Sequence, residues 1–97
     1  MNVGICKIDL HLPENLSLKG KRKIVGSLRT RIRNKFNVSI AEVGNYDSWQ
    51  LVTLGITTAS NDERYTGEIL NNVVEFINNN RGDYELISHD QEILSGF

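Results

Sequence analysis

A single cysteine, Cys6, leaves no room for an internal disulfide, a multi-cysteine zinc site or a cysteine-ligated iron–sulfur cluster. One proline and eight glycines in 97 residues exclude a collagen-like or low-complexity chain. No apolar run approaches the ~18 residues of a membrane span. The opening Met1-Asn2-Val3-Gly4 has neither the basic stretch nor the long apolar stretch of a signal peptide. These absences predict a protein of a reducing, cytoplasmic setting with no membrane partner. What is present, 39% apolar and 24% charged residues, is the composition of a globular chain. The length predicts one domain, residues 1–97, with one ordinary core.

The net charge of −1 conceals a lopsided distribution. Residues 1–37 hold nine Lys or Arg against Asp9 and Glu14, a balance of +7. Residues 38–97 hold Arg64 and Arg81 against ten Asp or Glu, a balance of −8. Eight of the eleven basic residues fall between Lys19 and Lys35. Such asymmetry is an argument about partners rather than fold. A solvated basic helix balanced by acidic elements would account for it equally.

Asn2 to Leu12 reads as a strand, with Gly4, Cys6, Ile8, Leu10 and Leu12 on its better-buried side. Pro13 ends it, and Ser17 is placed to cap the next element. Leu18 to Phe36 is a long amphipathic helix. Leu18, Val25, Leu28, Ile32 and Phe36 form its apolar stripe, while Lys19, Arg22, Gly26, Arg29 and Arg33 repeat at spacings of three and four on another side. Asn37 suits a left-handed stop. Val38 to Val43 and Trp49 to Ala59 read as two strands joined by the turn Gly44-Asn45-Tyr46-Asp47-Ser48. Ser60-Asn61-Asp62-Glu63 matches a capping box, and a second helix follows to about Asn79 with Ile69, Val73, Phe76 and Ile77 as its stripe and Tyr65 and Leu70 alongside. Asn78 to Asp83 is a stop and loop, and Tyr84 to Ile93 a last strand.

The order β-α-β-β-α-β is the split βαβ pattern of the ferredoxin-like α+β fold. Right-handed crossovers place both helices on one face of a four-stranded antiparallel sheet in order 4-1-3-2. Gly4, Cys6, Ile8, Leu10, Val52, Leu54 and Ile56 then meet the helices. The other face carries Val3, Ile5, Trp49 and Leu51, which is apolar for a surface left to water and predicts that a partner chain, a second copy included, or a terminal segment covers part of it.

Several segments resemble the YlxP-like family of short bacterial proteins. They are Val3-Gly4, Leu10-His11-Leu12-Pro13, Ser17-Leu18-Lys19 with Lys21-Arg22, and Arg33-Asn34-Lys35-Phe36-Asn37-Val38-Ser39. Ala41-Glu42-Val43, Trp49-Gln50, Thr53-Leu54-Gly55 and Ser60-Asn61-Asp62 extend the likeness over most of the chain. The resemblance implies a ferredoxin-like fold. Members are often encoded near translation-initiation and ribosome-maturation factors, which hints at ribosomes or RNA and assigns no activity. Gly20 departs from the family pattern, where a Glu or similar helix former is expected, and puts the rigidity of the first helical turn in question.

The basic helix carries the functional expectation. Lys19, Arg22, Lys23, Arg29 and Arg33 span about 21 Å at ~1.5 Å per residue, long enough to follow several phosphates. Arg31 and Lys35 lie on another flank. The expected function is that of a non-enzymatic accessory protein of translation or ribosome assembly that contacts ribosomal RNA or ribosomal particles through phosphates. The alternative is a self-associating module that uses Val3, Ile5, Trp49 and Leu51. Base stacking on the sheet is not expected, because the RNA-recognition module needs two or three sheet aromatics and Trp49 stands almost alone. Trp49 reads better as an anchor of the hairpin. Tyr46 and Asp47 could join it in a small binding feature of the turn, although a turn that orders itself explains them equally. His11 and His89 could approach only across neighbouring first and last strands, with Asp9 and Asp90 nearby, and their spacing fits no metal motif. Cys6 sits on the core side without a visible base. The glycines fit neither a P-loop nor a dinucleotide fingerprint. No catalytic residue, cofactor, metal or small-molecule substrate is therefore expected.

Overall fold

The computed structural model describes residues 1–80 and 82–97. Its elements are β1 (Asn2–His11), α1 (Leu18–Lys35), β2 (Ser39–Gly44), β3 (Leu51–Ser60), α2 (Glu63–Asn79) and β4 (Glu85–Ser95). The sheet order is β2-β3-β1-β4, and every neighbouring pair is antiparallel. This is the expected 4-1-3-2 order read from the other edge, and the fold is ferredoxin-like α+β. Of the expected loop from Asn78 to Asp83, Arg81 lies outside the described residues.

Period-two alternation decides which side chains meet the helices. Cys6, Ile8 and Leu10 of β1 and Val52, Leu54 and Ile56 of β3 are all buried on the helix side. Val25, Leu28 and Ile32 of α1 close over them from one side, and Leu70, Val73 and Ile77 of α2 from the other. Phe36 and Phe76 join the two helices at their C-terminal ends, edge to face with centroids 5.7 Å apart. α1 lies against β2, and α2 covers β1, β3 and β4. The lopsided charge of the chain thus becomes a lopsided charge in space. Arg22, Arg29 and Arg33 of α1 lie toward the β2 edge, whereas Asp62, Glu63, Glu68 and Glu75 belong to the α2 segment and Glu85, Asp90 and Glu92 to β4 at the opposite edge of the sheet.

Several boundaries differ from the sequence expectation, each for a local reason. α1 ends at an extended Phe36 cap (φ −124°), so Asn37 is not the left-handed stop; the chain must leave extended to enter β2 at once. The N-cap of α2 is Asp62, whose carboxylate accepts from the Arg64 and Tyr65 amides, and not Ser60. Ser60 still belongs to β3, and its hydroxyl accepts from the Asp62 amide. Tyr65 is exposed, while Thr66 takes the buried position. Trp49 lies outside β3, which begins at Leu51, because Gln50 turns into the neighbouring loop. Its carbonyl accepts from the Leu12 amide (2.7 Å), and its side-chain amide donates to the Pro13 and Asn15 carbonyls. Gly20 lies within an intact first turn capped by Ser17. A Cβ there would fall on the Asn15 side-chain oxygen, so the glycine makes room for Asn15 and does not loosen the helix.

Candidate nucleic-acid interface

The helical wheel of α1 sorts its cations into four groups. Lys21 falls on the apolar stripe, four residues before Val25 and seven before Leu28, and is buried with its side chain 3% exposed. Its ammonium meets the Glu42 carboxylate at 3.1 Å and donates to the carbonyls of Asn45 (2.6 Å) and Ser48 (2.8 Å). This lysine therefore clasps the β2–β3 turn and is not part of any solvent-facing row. Sequence reasoning passed over its structural role, although its place on the stripe was the available signal.

Arg22, Arg29 and Arg33 share one flank, within about 40° at ~100° per residue. The guanidinium groups of Arg29 and Arg33 both donate to the Ile40 carbonyl, at 3.4 and 3.1 Å. Ile40 belongs to β2, the edge strand over which α1 packs, so these arginines cover part of the sheet edge. Arg29 is half-buried, and its Nε is buried without a partner. The carbonyl is neutral and offsets neither guanidinium, but their reach is partly committed. Lys19, Arg22 and Lys23 are exposed. Among the described residues the ion pairs of Lys and Arg with carboxylates are Lys21–Glu42 and Arg64–Glu68. Seven of the eight α1 cations thus have no carboxylate partner there. On the far flank Lys35 stands over the Phe76 ring at 4.9 Å.

The turn after β2 is braced on three sides. Ser48 donates its amide to the Asn45 carbonyl, and Asn45 takes a left-handed φ of 59°. The Asn45 side-chain amide donates to the Thr53 hydroxyl, and the Asn15 amide donates to the Trp49 carbonyl (2.5 Å). Tyr46 donates its hydroxyl to the Glu42 carbonyl. Both aromatic side chains stay largely in water, Tyr46 at 61% and Trp49 at 53% exposure. Trp49 therefore holds the hairpin through its backbone and not by burying its ring, which corrects its reading as a hairpin anchor.

The open sheet face does not gather Val3, Ile5, Trp49 and Leu51 into one patch. Val3 pairs with Ala59 at one end, and Leu51 pairs with His11 at the other, about 26 Å away at ~3.3 Å per residue. A polar band crosses between them. Asn45 donates to Thr53, Thr53 donates to Asp9 Oδ1 (2.7 Å), and Ser88 donates to Asp9 Oδ2 (3.1 Å). Ile5 (38% exposed) and half-buried Val3 adjoin Leu94, while Leu51 (40%) stands apart near His11.

The two histidines do not come together. His11 points to the open face and meets Glu85 at 3.5 Å, whereas His89 pairs with Ile8 on the helix side. Cys6 is buried, and its thiol is pushed up to about 11 from 9.0, first by burial and then by the Asp90 carboxylate. A thiol so held is a small core hydrophobe, not a nucleophile. Burial also raises the Tyr84 hydroxyl, against a partial opposing pull from Arg31. Its proton is donated to the Ile77 carbonyl at 2.8 Å.

The raised thiol makes stability depend on pH. The folded chain holds the Cys6 proton above 9.0 while the unfolded chain releases it there, so this contribution is complete below about pH 9 and disappears as the pH climbs toward 11. The loss is on the order of 2 kcal/mol. Urea midpoints taken between about pH 8 and pH 10.5 should fall, and Cys6→Ala should flatten part of that fall. An equal fall in Cys6→Ala would assign it elsewhere.

Among the described residues no helix is long and apolar enough to cross a membrane. The family described as "Protein of unknown function (DUF503)" matches residues 3–91. "Uncharacterized protein YlxP" of Bacillus subtilis (strain 168) is 37% identical over 75 residues, which cover 77% of this chain and 82% of that protein.

Proposed function

We propose, for a chain that belongs to the DUF503 family of YlxP-like proteins, that it is a non-enzymatic cytoplasmic accessory of translation or ribosome assembly that contacts RNA phosphates through α1. One observation carries the reading: seven of the eight cations of α1 lack a carboxylate partner among the described residues, although the chain holds twelve Asp and Glu. Folding places most of the acids on the opposite side and leaves a local positive field over the β2 edge. Such a field attracts a polyanion and raises its encounter rate.

The geometry ranks the contributors. Lys19, Arg22 and Lys23 are free to meet phosphates, whereas Arg29 and Arg33 must share themselves with the Ile40 carbonyl. Binding of a ribosomal RNA fragment at low salt should therefore weaken several-fold in Lys19→Ala/Arg22→Ala/Lys23→Ala, and less in Arg29→Ala/Arg33→Ala. Equal affinity of the first variant and the unaltered chain would end the reading. Self-association through the open sheet face is the weaker alternative, because the Asp9 band divides that face. Sedimentation at high concentration should give a monomer.

A further inference from the structure

We infer that the β2–β3 turn, together with the N-terminal half of α1, binds unpaired RNA nucleotides, with Tyr46 and Trp49 stacking bases while Arg22 holds the adjoining phosphate and Lys19 and Lys23 those further along the strand. The inference rests on the proposed function and narrows it from RNA in general to single-stranded segments.

Two independent features meet at this place. The first is the pair of aromatic rings left in water on a turn that the rest of the molecule braces. The Lys21 ammonium holds two of its carbonyls, Asn15 holds a third, and the Tyr46 hydroxyl is tied to β2. None of these bonds uses the ring faces. A rigid platform with free π-faces loses little freedom when a base settles on it. The second is the placement of the cations. Lys21 fixes the level of α1 that touches the turn; at that level Arg22 stands ~100° round the helix from it, toward β2, and Lys19 and Lys23 stand about 160° from it on the solvent side. Arg22 lies on the flank that continues through Arg29 and Arg33 along β2. A row of positive charge therefore runs along the β2 edge and ends at two exposed rings. Single-stranded nucleic acid is recognised by this combination, a basic track for the backbone and aromatic faces for the bases. A duplex keeps its bases stacked internally and offers the rings nothing. Asp47, exposed at the tip of the turn, opposes phosphate on its own side and keeps the strand toward α1.

Trp49 is the one tryptophan of the chain, so its fluorescence reads base stacking directly. An oligouridine of about twelve nucleotides should quench it, and a duplex RNA of similar length should not. Anisotropy of the labelled oligouridine should show Trp49→Ala weakening binding by about fivefold or more, the low end for one stacked base. Trp49→Phe should restore most of the affinity, and Asp47→Asn should raise it. Salt-dependent binding of both RNAs with unchanged Trp49 fluorescence, and equal affinity of Trp49→Ala, would overturn the stacking site while leaving phosphate contact by α1 intact. Absence of binding by either RNA at low salt would overturn both.

Discussion

Lys21→Met is expected to lower unfolding stability by about 3 kcal/mol, read as a shift of the urea midpoint. The substitution keeps a long unbranched stem over Val25 and Leu28 but removes the ammonium. Glu42 then loses its ion partner, and the carbonyls of Asn45 and Ser48 lose a donor in a part-buried place. A buried pair costs most when only one partner is deleted, since the survivor is a charge without compensation. Lys21→Met/Glu42→Leu should therefore be more stable than Lys21→Met alone, and the double-mutant cycle should show clear coupling. A loss below about 0.5 kcal/mol in the single variant would place Lys21 among ordinary surface lysines. Because Lys21 also braces the turn, the same variant should weaken oligouridine binding without touching an exposed cation.

Gly4→Val is expected to cost about 3 kcal/mol, toward the upper end for an overfilled core. β1 and α2 approach so closely at Gly4 that even a Cβ would lie 2.7 Å from Thr66 Cγ2 and 2.9 Å from Leu70 Cδ1. Thr66 has no freedom to yield, because its hydroxyl bonds the Asp62 carbonyl and meets the Ser60 hydroxyl. Leu70 is fully buried. A branched side chain must push α2 away from the sheet. Gly4→Ala should show the same direction at smaller size, and Gly26→Ala, which opens onto free space in the middle of α1, should instead stabilise the protein. Thermal or urea unfolding of the three variants checks the order; a neutral Gly4→Val would contradict the close approach.

The element order, the sheet order and the core strands were legible in the sequence because they rest on periodicity and on connection rules. Cys6, Ile8 and Leu10 alternate cleanly, and so do Val52, Leu54 and Ile56. The identity of the α1 cations was legible for the same reason. What each cation does was not. Arg29 and Arg33 are drawn to Ile40 because β2 is an edge strand beneath α1, a relation between segments that local patterns do not contain. The Asp9 band that splits the open face depends on the register of three strands and on the bulge that shifts the β1–β4 register between Asp9 and Leu10. Trp49 shares parity with Leu51 in the sequence, but parity ends where the strand ends, and Gln50 ends it by bonding the loop after β1. Lys21, left without a role in the sequence reading, is the position that the sequence could have disclosed, since a lysine in phase with Val25, Leu28 and Ile32 must find partners inside.

Whether the exposed cations of α1 meet phosphates, as proposed, is decided by the affinity for oligouridine across a range of salt concentrations, for the unaltered chain and for Lys19→Ala/Arg22→Ala/Lys23→Ala. Each phosphate neutralised on a single strand contributes about −0.7 to the slope of log K against log salt, so the variant's slope should be shallower by about 2. Affinity of the unaltered chain that is indifferent to salt, or a variant slope that matches it, would mean that these cations do not meet phosphate.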